Sequence, residues 1–531
     1  MNDKTRVIVI GIDGASWDLL EPWINEGVLP TLEKLVKRGI YGRLESTIPP
    51  WTIPAWESMT TGKNPKKLGF ATFMVKKGYK FVPYIFMKHN QQKMFWELLS
   101  DTGYRVILAN LPNVYSAKKI NGCIISGWLC IDRDKLAYPP ELIEDVNKYC
   151  GDYKIDILDI DFERGIVIEN LQDKNYIKNC EELLEKHFCL FKYLLCKYMW
   201  DFGFMVFVTP DRIQHKYWDL KLLLDHYRKI DAKLKELLEM MGDDTILFLM
   251  SDHGFGPIKY NLNINEFFIR EGFLKLKKNN KRTASMLLLL VEKMSLLSLA
   301  SSIVNLLPSI IAKRLKEYVS SISFERMDID WSATKAFAYA VLGDIYINVK
   351  GREPSGVVEP GEYNKIREEI IEKLKNISYK GKRLNIQIFK KEEIYPNATL
   401  WDNLPDLIIV PTEDGIQSIN PNIGTGQVIG ESNGTKGNHR LNGILLAYGP
   451  GIKKGQRVDA RIYDIAPTIL HIFDLPIPND MDGRVLTEIF EEDSEFAKRK
   501  PKYVDPSYYD KKQEDEKLKQ AIKNLKLKGK I

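Results

Sequence analysis

The sequence predicts an α/β fold: a mainly parallel central sheet flanked by helices, with a helical insertion. Two observations predict it. Short runs rich in Val, Ile, Leu and Phe recur along the chain and end on an acid or a glycine, as buried parallel strands do. Helical stretches with one apolar face separate them, for example "CEELLEKHFCLFKYLLCKYM" at 180–199. The size agrees, since 531 residues at 44% hydrophobic content bury a large core. Length alone suits two or three domains, or one large domain with insertions.

In chain order, "RVIVIGIDG" (6–14) is the first strand, and Asp13 stands at its carboxyl end. "LPTLEKLVKRG" (29–39) is a helix with Leu32, Leu35 and Val36 on one face and Gly39 as its stop. "YRVILANL" (104–111) and "GCIISG" (122–127) continue the strands, and "DFGFMVFVTPD" (201–211) and "DTILFLMSDHG" (244–254) are apolar runs that carry acids at their ends. "DLIIVPT" (406–412) and "NGILLAYGPG" (442–451) complete the set. Residues 1–267 and 331–498 are expected to form one catalytic α/β domain. The Leu/Ser-rich region 268–330 is expected as a helical insertion, a candidate cap, and 499–531 as a charged tail forming a solvated helix. No internal repeat is evident.

Composition removes some functions. A net charge of +6, from 77 basic and 71 acidic residues with no basic block, speaks against specific nucleic-acid binding. Six cysteines at irregular spacing form no C-x-x-C pair, so a reduced, cytoplasmic protein is expected, and the N-terminus does not have the pattern of a signal peptide. The apolar segment 294–312 contains five serines, Asn305 and Pro308. It reads as buried or capping helices rather than a membrane span, with contact to a membrane surface left open.

In open α/β sheets, functional groups gather beyond the carboxyl ends of the strands. Those ends carry Asp13, Asp211 and His215 in "TPDRIQHKYW", and Asp252 and His253 in "SDHGFGP". His439 in "GNHRLNG" precedes another strand. Carboxylate and imidazole together are ligand chemistry for Zn²⁺, Mn²⁺ or Fe²⁺. Asp211 and His215, four apart, face the same way on a helical turn. Taken singly, each piece has a plain reading: a helix cap for Asp13, a surface pair for Asp211 and His215. Their joint placement at strand ends is what argues for a site. The other histidines, 89, 187, 226 and 471, read as structural.

These motifs resemble the alkaline phosphatase superfamily, above all its type I phosphodiesterase/nucleotide pyrophosphatase branch and the phosphohydrolase/phosphomutase-like proteins of prokaryotes that share it. The resemblance runs from "VIVIGIDGASWDLLEPWINEGVLPTLEKL" through "STIPPWTIPAWESMTTGKNPKKLGF" to "ARIYDIAPTILHIFDLPIPNDMDGRVL". It implies an alkaline-phosphatase-like fold and two divalent metal ions bridged by substrate phosphate, Zn²⁺ first, with Mn²⁺ or Fe²⁺ as alternatives. Asp211, His215 and His439 would hold one ion. Asp13, Asp252, His253 and the hydroxyl of the nucleophile would hold the other. The family nucleophile opens a helix and is followed by an apolar residue and Pro, which among the hydroxyls of 46–61 fits Thr52 in "WTIP". The sulfatase frame C/S-x-P-x-R fails, because position 56 is Trp.

The implied reaction is hydrolysis of a phosphodiester or pyrophosphate in a small phosphate ester or nucleotide, through a phospho-threonine. Phosphomonoester or phosphonate hydrolysis, phosphomutase chemistry, a lipid head-group enzyme and a non-catalytic binding protein are the alternatives. Trp51, Arg212 and Arg440 are candidate substrate contacts. Packing for Trp51 and Trp56, and salt bridging for the two arginines, fit equally well.

Overall fold

The computed structural model describes residues 5–83, 92–112, 114, 116–128, 130, 133–157, 159–161, 166–168, 175–277, 329–339, 343–431, 436–512 and 514. At its centre strand Arg6–Ile12 lies between Phe202–Phe207 and Thr245–Met250, parallel to both. Val106–Leu111 and Gly122–Ser126 extend one side in parallel, and Ala137–Tyr138 closes it antiparallel. On the other side Asn442–Tyr448 and then Ile40–Glu45 follow, and two short strands, Gln456–Arg457 and Ala460–Arg461, edge the ten-stranded sheet.

The central strand shows why its sequence is apolar throughout. Successive side chains point to opposite faces of a sheet. Val7 and Val9 join one buried cluster, and Ile8, Ile10 and Ile12 join the other, each covered by helices. Gly11 is where a helix comes closest: a Cβ there would lie 2.5 Å from the ring of Trp56. That ring belongs to helix Thr52–Thr61, all ten of whose residues are buried, and the helix stops at Gly62 in the left-handed region (φ 68). Trp56 is therefore core and not a substrate platform. Its truncation to Ala would cost about 3–5 kcal/mol.

Two strand expectations need correction. Asn442–Tyr448 joins the central sheet but runs antiparallel to both neighbours. Leu407–Val410, within "DLIIVPT", lies outside that sheet, between Asp344–Ile347 and Gln387–Lys390 in a separate four-stranded sheet that also contains Ala336–Ala338. Its partners are antiparallel, and helix Tyr363–Lys375 packs into its own apolar cluster.

Most of the expected insertion, residues 278–328, and the apolar segment 294–312 lie outside the described residues. Among the described residues no helix is long and apolar enough to cross a membrane. The stretch from 499, expected as a solvated helix, begins differently: Tyr503–Val504 pairs in parallel with Ile477–Pro478, and Tyr509 is buried. The expectation of reduced thiols fails for one pair. Helix Leu142–Cys150 meets helix Tyr176–Lys197, and Cys150 and Cys189 form a disulfide with their Cα atoms 5.8 Å apart.

Candidate active site

Three adjacent parallel strands deliver the acids. Asp13 follows Arg6–Ile12, and the chain then turns at Gly14 (φ 73), where Phe255 and Gln214 leave no room for a Cβ. Helix Thr209–Lys216 starts two residues after strand Phe202–Phe207, with Pro210 in its first turn, and presents Asp211 and His215. Asp252 and His253 follow Thr245–Met250 on a bend held by the Ser251 hydroxyl, which donates to the His253 carbonyl at 2.6 Å. A short ribbon, Gly254–Pro257 antiparallel to Gly437–Arg440, pairs Phe255 with His439 and so returns His439 from the far end of the chain. The rings of His253 and His439 stack with centroids 3.6 Å apart.

All seven residues expected to form the metal site meet at one place. The Asp211 Oδ1 atom lies 3.3 Å from Nε2 of both His215 and His439. Nε2 of His253 lies 3.5 Å from Asp13 Oδ1 and 3.3 Å from Asp252 Oδ2. Thr52, the first residue of its helix, donates its hydroxyl to His253 Nε2 at 3.3 Å. No side chain caps that helix, so its first N–H groups and positive dipole end remain for an anion.

The histidine tautomers follow from their backbone partners. Each Nδ1–H donates to a carbonyl, which only accepts: His439 to Pro50 at 2.8 Å, His253 to Gly254 at 3.0 Å and His215 to Gly437 at 3.2 Å. Their Nε2 lone pairs therefore face the cavity, two of them 3.0 Å apart. Five carboxylate oxygens there, both of Asp13, both of Asp252 and Oδ1 of Asp211, are buried without a hydrogen-bond donor among the described residues. Converging imidazole lone pairs beside crowded, buried carboxyl groups are a donor set suited to cations. Two overlapping groups fit an ion, Asp211 with His253 and His439, and Asp13 with Asp252 and His253.

The electrostatics give the same picture. Burial, then the charges of Asp252 and Asp211, pushes the Asp13 carboxyl well above its usual range, and burial raises Asp252 to about 8. Burial drives His253 well below its ordinary value and lowers His439, which keeps both imidazoles neutral.

The expected substrate contacts fare differently. Trp51 is half-buried, edge-to-face with Phe73 at 4.8 Å and with His439 at 6.0 Å, and so borders the cavity. Arg440 donates to Glu413 and to the carbonyls of Asn438, His439 and Pro257, anchoring the ribbon rather than offering a free fork. Arg212 pairs with Asp211 and with Asp156. Sequence reasoning missed Asp156, Phe73 and Trp128. Nothing in "DYKIDIL" marks Asp156, and the aromatic rings carry no spacing signal.

The family model described as type I phosphodiesterase / nucleotide pyrophosphatase matches residues 7–440. No curated protein matches significantly. Among solved structures, murine ectonucleotide pyrophosphatase/phosphodiesterase 5 is similar at 12% identity and TM-score 0.47, over 92% of this chain and 100% of that one. The human protein of that name is similar at 13% identity and TM-score 0.47, over 91% of this chain and 98% of that one.

Proposed function

This chain belongs to the type I phosphodiesterase/nucleotide pyrophosphatase family, a phosphoric ester hydrolase by that membership, and from that premise we propose that it hydrolyses a phosphodiester or pyrophosphate in a small phosphate ester or nucleotide, with Thr52 as nucleophile. The observation that carries this reading is the donor set: three imidazole lone pairs and five orphan carboxylate oxygens gathered around the hydroxyl that opens a helix.

Asp211, His215 and His439 would hold one divalent ion, and Asp13, Asp252, His253 and Thr52 the other. A pair of such ions, Zn²⁺ or the similar Mn²⁺ or Fe²⁺, would supply Lewis acidity that lowers the hydroxyl pKa and neutralises phosphoryl charge. The threonine oxygen attacks phosphorus as its proton passes to solvent, the P–O bond to the leaving group breaks with its electron pair on the departing oxygen, which takes a proton from solvent, and a phospho-threonine results. The helix N-terminus receives the phosphoryl oxygens. Water then attacks phosphorus, the bond to Thr52 breaks, and the hydroxyl regains a proton.

Thr52→Ala tests this directly. It should abolish turnover of bis-p-nitrophenyl phosphate while mass spectrometry still finds about two ions per chain. Undiminished turnover rules Thr52 out as the nucleophile.

A further inference from the structure

Arg212 follows one of the site's acids, and its guanidinium is nearly sealed: its side chain is 5% exposed and that of its partner Asp156 only 1%. The edge of the fork that suits a bidentate phosphate, Nε and Nη2, is already taken. Nη2 donates to Asp156 Oδ2 at 2.8 Å, and Nε lies 3.3 Å from both carboxylate oxygens. The face of the guanidinium is covered too, with its carbon 4.7 Å from the Trp128 ring centroid. Its backbone carbonyl accepts from the Tyr176 hydroxyl at 3.1 Å. Such a pair cannot reach a substrate phosphate without coming apart.

What it does reach is Asp211. Nη1 donates to Oδ2 of that carboxylate. The other oxygen, Oδ1, has no hydrogen-bond partner among the described residues and lies 3.3 Å from Nε2 of both His215 and His439. Arg212 thus distinguishes the two oxygens of Asp211, and Arg212 is held in place by Asp156 and Trp128.

We propose that Asp156 is a positioning residue that acts through Arg212 to set which oxygen of Asp211 faces the cation site. This rests on the reading of Asp211 as a metal ligand. A ligating carboxylate free to rotate loses part of its orientation on every approach of an ion, whereas one pinned by its outer oxygen presents a fixed donor. The pair also sets the local charge, since Arg212 brings one cation into a cavity of three aspartates and Asp156 balances it from outside. Burying that pair costs desolvation of both groups. A role in packing alone does not require it to end on the outer oxygen of a ligand.

The test compares wild-type protein with Asp156→Asn, which keeps the shape, and Arg212→Lys, which keeps the charge and loses the planar fork. Zn²⁺ affinity is read by competition with an indicator chelator. Metal content, and kcat and KM for bis-p-nitrophenyl phosphate, are read at saturating Zn²⁺. In both variants the affinity for one of the two ions should fall about tenfold to a hundredfold. KM at saturating Zn²⁺ should stay near the wild-type value. Unchanged affinity for both ions in an Asp156→Asn protein overturns the proposal. So does a raised KM with metal affinity intact, which would return Arg212 to the phosphate. If Arg212→Lys does not fold, the isosteric Asp156→Asn decides alone. A wild-type protein that binds no divalent ion defeats the metal reading itself, a result distinct from an unchanged Asp156→Asn.

Discussion

Asp406, in the second sheet, and Asp13, at the end of the central strand, are both fully buried aspartates, yet their surroundings are opposite. Asp406 accepts from both Nη atoms of Arg352 at 2.8 and 2.6 Å, from Tyr363 at 2.7 Å, from Lys391 at 3.1 Å and from the Ile347 N–H at 2.7 Å. Burial alone would raise its carboxyl, but these donors overcome it and hold the group far below the ordinary range. Asp13 has no donor on either oxygen, and Asp252 has none on its pair. A carboxylate that the protein satisfies itself ties the chain together. Carboxylates that it buries and leaves open, beside neutral imidazoles, are suited to ions from outside. Asp344 marks the limit between them: buried with no donor among the described residues, its carboxyl is pushed well up by burial.

The largest effect is expected at the candidate metal cavity. Exhaustive chelation, or Asp252→Asn, should lower turnover of bis-p-nitrophenyl phosphate by about a thousandfold or more. Divalent ions should restore the chelated wild type and not the variant. Full turnover by protein shown to be metal-free would end the distinction drawn here between the two clusters.

Next in size is Asp406→Asn, which strands the buried charges of Arg352 and Lys391. Urea titration should show a loss of about 3–5 kcal/mol. An unmoved midpoint would mean that these donors find other acceptors at no cost.

Asp13→Asn sharpens the contrast by its sign. In metal-free protein it removes one of three crowded carboxylates, so the melting temperature should rise, by an amount equivalent to about 1 kcal/mol. In metal-loaded protein the same change removes a ligand and should lower it. A fall in both states would class Asp13 with Asp406.

The most gradual effect, spread over several pH units, concerns a buried group that is satisfied while neutral. His187 Nδ1 accepts from Asn110 at 2.9 Å and Nε2–H donates to the Lys154 carbonyl at 2.9 Å. Burial lowers its pKa from 6.5 to about 4. The unfolded chain then takes up a proton that the folded one refuses. Stability should be full above pH 6.5, decline as pH falls toward about 4, and level off below, with a total change of up to about 3 kcal/mol. Thermal melts of wild type and His187→Asn across that range should show a shallower decline in the variant, and parallel declines would assign it to other groups.

The strands and the seven residues of the candidate metal site were legible because their signals are local. Val7 and Val9 alternate with Ile8 and Ile10, and the acids stand one to four residues beyond the strands that carry them. Thr52 was singled out through the family resemblance, whose nucleophile stands before an apolar residue and Pro, as Thr52 stands before Ile53 and Pro54. The second sheet was not, since "LIIV" reads the same whether its neighbours run parallel or antiparallel. For the arginines the sequence left two readings open, a phosphate contact or a salt bridge, because the acids that pair with Arg212 and Arg440, Asp156 and Glu413, lie far from them in the chain.

By itself, then, the sequence determined the apolar periodicity, the strand-end chemistry and the helix start at Thr52, because each depends on neighbours a few positions away. Only the tertiary structure decided which buried charges are answered from within. The Asp406 pairing with Arg352 spans 54 positions, Asp156 with Arg212 spans 56, and the carbonyl that sets the His439 tautomer lies 389 positions away. Whether a buried carboxylate meets a donor or waits for a cation is a matter of distances of a few ångströms in space, and chain separation does not encode them.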